Sequence, residues 1–119
     1  MKHASALTTL LMWWVILAHA AFAIVEMVAW SHPAVHRRFG FTGPEAARAR
    51  PIVANAGLYN GFFAGAFLWS YLQPAAWPPA VVSYLLACVV GAGVFGAITL
   101  RKRSVLVLQA LPAAILLAL

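Results

Sequence analysis

Apolar residues fill four runs of the chain, at about residues 6–30, 52–72, 80–100 and 104–119, and almost all the charge stands between them. The first run, roughly 25 residues, is long enough to cross a hydrocarbon core of about 30 Å at a helical rise of about 1.5 Å per residue. The second and third also reach across. The fourth holds only 16 residues, and at roughly 24 Å it barely spans. The pattern predicts an all-α chain, an integral membrane four-helix bundle forming a single transmembrane domain over 1–119. Lys2, the run from Leu7 to Leu17 and the small residues around His19 also have the outline of a cleavable signal peptide. Apolar character persists past those sites to Trp30, which favours a retained anchor.

The connectors carry helix signals of their own. His32-Pro33 stops the first helix, and Thr42-Gly43-Pro44-Glu45 has the spacing of a capping box. A helix is therefore expected to begin near Thr42 and run into the second span, with Pro51 as a kink at its entrance. Ala75 to Pro79 reads as a short uncharged turn with Trp77 at an interface. Pro112 lacks the N–H that would bond the Leu108 carbonyl, which leaves that oxygen free beside Gln109.

The second run opens on Asn55-Ala56-Gly57-Leu58-Tyr59-Asn60-Gly61. Wound as a helix at about 100° per residue, Asn55, Tyr59 and Phe62 form one stripe. Gly57, Gly61 and Gly65 form another on roughly the opposite side, a small-xxx-small pattern that admits a close neighbour. Ala87, Gly91, Gly93 and Gly96 in the third run make that helix the expected neighbour. Polar side chains at membrane depth are costly and usually face a bundle interior or a cavity.

Composition supports the membrane assignment. The chain is 65% hydrophobic and 8% charged, where an ordinary soluble domain carries about 25% charged residues. The net charge of +6 would suit nucleic acid, but seven of the eight Lys and Arg residues lie in two short connectors, 31–50 and 101–103. That placement is what membrane topology dictates, and no nucleic-acid partner is expected. By the positive-inside rule both basic connectors face the cytoplasm. The chain is thus expected as a multi-pass protein of the cell inner membrane with both termini outside the cytoplasm. Cys88 is the sole cysteine, so no intrachain disulfide forms, and it packs as a small apolar residue.

This topology brings distant polar residues to a similar depth in the cytoplasmic half: Glu26 and Trp30, then Asn55, Tyr59 and Asn60, then Thr99, then Gln109. His19 shares a face with Glu26 and Trp30 but lies deeper.

The same residues carry a family resemblance. His19 with Glu26 and Trp30, the run Ala54-Asn-Ala-Gly-Leu-Tyr-Asn-Gly61, Cys88 with Ala92-Gly93 and Gly96-Ala-Ile-Thr99, and Gln109-Ala-Leu-Pro112 resemble domain-of-unknown-function family 1304 over nearly the whole chain. The family pattern usually has Asn-Gln-Gly where this chain has Asn55-Ala56-Gly57, one hydrogen-bonding group fewer. The resemblance implies a four-helix integral membrane protein and supplies no activity.

Chemistry is read from the polar cluster. Glu26, the only carboxylate in an expected span, is either a buckle to Asn55, Tyr59 or Gln109 or a proton-titrating site, since desolvation favours the neutral form of a carboxyl. Glu26, His19 and Tyr59 are the candidate catalytic residues, with Trp30, Asn55, Asn60, Thr99 and Gln109 as ligand-binding residues. His19 has no second ligand at suitable spacing, so no metal site is expected, and no cofactor is assigned. The expected partners are the lipid bilayer, a small lipophilic ligand and further copies of the chain. One reading is a pocket for that ligand, opening from the cytoplasmic leaflet. Another is a proton-coupled transporter subunit, similar to the small multidrug exporters in size, span number and a first-span Glu, though lacking their motifs. The bias in basic residues argues against the dual insertion those exporters can use. A third is a non-catalytic assembly factor for another membrane complex.

Overall fold

The structure, a computed structural model, describes residues 5–119. It is all-α, with no strand among the described residues. Helix α1 (Ala6–Ile24) is capped by Ser5, whose hydroxyl accepts from the Thr8 N–H at 3.1 Å, and runs on through a π turn at Val25–Ala29. A short helix α2 (Pro33–Arg38) follows, then the long helix α3 (Gly43–Leu72). Helix α4 (Pro79–Thr99) comes next. The last rod is α5 (Arg103–Val105), a second π turn at Leu106–Ala110, and α6 (Leu111–Ala118).

Local chemistry explains these boundaries. Thr42 and Glu45 form the capping box that opens α3, with Glu45 Oε2 accepting from the Thr42 N–H at 2.8 Å. Pro51 lies inside α3 without ending it. Two helices end in the same left-handed turn. At the end of α2, Gly40 has φ 84° and the Phe41 N–H bonds the His36 carbonyl. At the end of α4, Arg101 has φ 53° and the Lys102 N–H bonds the Ala97 carbonyl. Glycine takes that conformation freely, whereas an arginine there costs about 1–2 kcal/mol.

The rods lie side by side in a body of 53 × 24 × 21 Å. Helix α1 is the hub: it packs along α3 on one side and against α6 on the other, while α4 packs on the last rod. Val15, Ile16, Phe67, Leu86, Val89 and Ala113 form one core drawn from α1, α3, α4 and α6. Many large apolar side chains face outward, among them Leu10, Val28, Ile52, Phe95 and Ile98.

The glycine face of α3 meets a neighbour other than the expected one. A Cβ on Gly57 would touch Met27 Cγ at 2.7 Å and Glu26 Cβ at 2.9 Å, so this face closes on α1 and its π turn, and α3 meets α4 only sparsely. Gly61 also faces Ala23 on α1, and Gly65 stands in open space. On α4, Gly93 receives Ala110 and Gly96 receives Val105 of the last rod. Periodicity fixes which side of a helix is small; it does not name the helix that docks there.

Among the described residues two helices are long and apolar enough to cross a membrane, Ala6–Ala29 and Pro79–Thr99, and Arg103–Ala118 is a shorter apolar one. In α3 the apolar stretch after Pro51 is diluted by Asn55, Asn60, Tyr59 and glycines.

Candidate functional site

The π turn brings Glu26 against α3. There Asn60 Nδ2 donates to Glu26 Oε2 at 2.8 Å, and both residues are half-buried. The close approach at Gly57 makes room for this, since the stem of Glu26 lies where a Gly57 side chain would be. π turns insert an extra residue per turn, re-aim the following side chains and are frequent at functional sites. Glu26 therefore points into the interface as expected, but its partner is Asn60 and not Asn55, Tyr59 or Gln109. The reason is rotational. Asn60 stands three residues after Gly57 and four before Ala64, on the buried side of α3, while the Asn55–Tyr59–Phe62 stripe faces out. Tyr59 is 58% exposed, with its ring edge-on to Phe62.

The remaining candidates are dispersed. His19 is 1% exposed; its Nδ1 donates to the Val15 carbonyl at 2.8 Å, and the rings of Phe22, Phe63 and Phe67 surround it. It lies two helical turns from Glu26, roughly 10 Å along the axis, and is a core residue of the bundle. Glu26, His19 and Tyr59 are thus not gathered into one site. Thr99 is exposed and turns its hydroxyl back to the Phe95 carbonyl at 2.9 Å. Gln109 is half-buried within the second π turn. No group of three or more His, Cys, Asp or Glu residues able to hold a metal occurs among the described residues.

Trp30 seals the basic end. It is buried, its indole N–H donates to the Ala46 carbonyl at 2.9 Å, and Phe39 and Phe41 pack on its ring. Lys102 crosses from the other basic connector, donating to the Arg38 carbonyl with its ammonium 4.7 Å from the centre of the Phe39 ring.

A cleft of about 500 Å³ opens at the opposite end, between the start of α1, the α3–α4 turn and the end of α6. Met12, Val82, Leu86 and Leu116 supply apolar wall, Thr8, Thr9, Ser83 and Tyr71 supply hydroxyls, and no charged side chain lines it among the described residues. These residues were hidden in sequence because hydroxyls inside apolar runs resemble ordinary helix filler. Their common signal is level: each lies within the first or last two turns of its helix on one side of the bundle.

Trp14 ties the first rod to the last. Its indole N–H donates to the Leu108 carbonyl at 3.0 Å. This is the oxygen that Pro112 leaves without an intrahelical donor, so it is not free.

A family model described as "Protein of unknown function (DUF1304)" matches residues 13–119. No curated protein and no solved structure matches the chain.

Proposed function

The chain belongs to that family, and we propose that it is a four-span integral membrane protein whose cleft at the terminal end holds a small lipophilic molecule bearing neutral hydrogen-bonding groups. The cleft carries this reading. Its volume of about 500 Å³ falls in the range of small-molecule sites, about 300–1,000 Å³. Apolar walls with a few hydroxyls suit an uncharged, partly polar molecule. The spans are α1 with its π turn, the apolar part of α3, α4, and the α5–α6 rod. Both basic connectors meet at one end, as Lys102 and Arg38 show, which fits a cytoplasmic face there and a cleft that opens from the other leaflet. The pocket expected in the cytoplasmic half moves accordingly to the far end.

The test is to purify the protein in detergent and identify retained small molecules by mass spectrometry, alongside Ser83→Trp, which fills the cleft. A species enriched with the parent and lost from the variant supports the proposal. Equal retention by both, or none by either, contradicts it.

A second reading rests on the Glu26–Asn60 pair. A carboxyl at membrane depth, held by one amide beside a π turn, is the arrangement a proton-coupled transporter would use. Glu26→Gln, which keeps the shape and removes the ionisation, would then abolish proton-dependent uptake in reconstituted vesicles.

A further inference from the structure

The basic end contains a second cavity, smaller and of opposite character. It measures about 190 Å³ and is lined by Ser31, His36 and Arg50 with Gly43, Ala46 and Ala47. We propose that it binds a phosphate group. The lining supplies donors. Arg50 offers a planar guanidinium, the side chain best matched to phosphate oxygens, and Ser31 adds a hydroxyl. His36 is only 5% exposed and is fixed: its Nδ1 lies 3.2 Å from the Trp30 carbonyl, which can only accept, so Nδ1 carries a proton. Gly43, Ala46 and Ala47 present no side chain beyond a methyl, so the first turn of α3 leaves the space open.

The surroundings match an anion. Arg37, Arg38 and Arg48 are exposed on the same basic segment of the chain, outside the lining. The one nearby carboxylate, Glu45, is engaged by the N–H and hydroxyl of Thr42, each at 2.8 Å. Arg50 immediately precedes Pro51 and the apolar stretch of α3. On the membrane reading, that is headgroup level of the cytoplasmic leaflet, where basic pockets take acidic lipid headgroups. The phosphate is then that of an acidic phospholipid, and the alternative source is free phosphate. The cavity lies at the opposite end from the cleft above, so loss of either site leaves the other intact.

The experiment uses the full chain in dodecyl maltoside with dioleoyl phosphatidylglycerol or dioleoyl phosphatidylcholine, the bound lipid being counted by native mass spectrometry. Binding of inorganic phosphate is measured separately by calorimetry. The parent should retain phosphatidylglycerol in preference to phosphatidylcholine. Arg50→Gln should bind it about tenfold more weakly, the effect of losing one charge-assisted contact. Arg37→Gln, outside the cavity, should bind as the parent does. Ser31→Asp places a carboxylate inside and should give the same loss, which keeps the test open should Arg50→Gln not fold. Tight binding of inorganic phosphate, lost in Arg50→Gln, with no lipid preference supports the site and assigns it to the soluble anion. Equal losses in Arg50→Gln and Arg37→Gln, or no binding of either probe, would overturn the proposal.

Discussion

Asn60 donates its amide to Glu26 across the α1–α3 interface at 2.8 Å, and the close approach at Gly57 brings the two within reach. The pair ties the π turn of the first rod to the middle of α3. Glu26→Gln retains an acceptor for Asn60 and should fold like the parent. Glu26→Ala leaves the amide without its partner and should cost about 1 kcal/mol, the usual scale for such bonds between membrane helices. Unfolding in detergent measures both; a Glu26→Ala protein as stable as the parent would show that the pair holds nothing together.

Glycine positions on α3 should respond unequally. A Cβ at Gly57 meets Met27 Cγ at 2.7 Å and Glu26 Cβ at 2.9 Å, one at Gly61 meets only Ala23 Cβ at 3.8 Å, and one at Gly65 meets nothing within 4 Å. Gly57→Val should therefore destabilise by about 1–3 kcal/mol, the range for overpacking. Gly61→Ala and Gly65→Ala should be close to neutral. Melting temperatures in detergent decide it, and equal losses at Gly57 and Gly65 would mean that the helix presents a different face.

Trp14 and Pro112 should be coupled through the Leu108 carbonyl. Trp14→Phe removes the indole donor and should cost about 1 kcal/mol in the parent. In a Pro112→Ala background the restored backbone N–H can bond that carbonyl, so the same change should cost less. A double-mutant cycle reads the difference directly, and additive effects would separate the two residues.

The capping box at the start of α3 should be pH-sensitive. Bonds from the Thr42 backbone N–H, then from its hydroxyl, hold the Glu45 carboxyl below its ordinary value of 4.5. A carboxyl lowered in the folded state stabilises above its unfolded value, and the effect is lost as pH falls through the lowered folded value. Protection of the Thr42 amide against hydrogen exchange, corrected for intrinsic rates, should fall below about pH 4.5 in the parent. In Glu45→Gln it should show no such step.

What the sequence made legible was local. The Thr42–Glu45 cap, a helix running through Pro51, the small side of α3 and an inward Glu26 all follow from spacing along one helix. The assignment of neighbours did not. Gly57 and Asn60 share a side of α3, and Asn60 was within reach of this reasoning: it falls on the Gly57–Ala64 face, while Asn55 and Tyr59 fall on the other. That Ala23, Glu26 and Met27 of the first rod cover this face, leaving α4 to pack on Ala110, depends on long-range packing that no periodicity encodes. The two cavities were invisible for the same reason. Each is assembled from residues at the ends of several helices, and Thr8, Ser83 and Arg50 acquire a common purpose only once those ends are brought together.

The account depends most on α3 crossing the membrane, because its apolar stretch is the one most diluted by polar residues and glycines. Residues 48 and 76 lie at its two ends, both exposed. In a Cys88→Ser background, Arg48→Cys and Ala76→Cys can each be tested with a membrane-impermeant maleimide on intact spheroplasts and after lysis. The account predicts that the cysteine at position 76 reacts in intact spheroplasts, whereas the one at position 48 reacts only after lysis. Labelling of both positions from the same side would contradict it, since α3 would then lie along the membrane or outside it and the cleft could not open where it is placed.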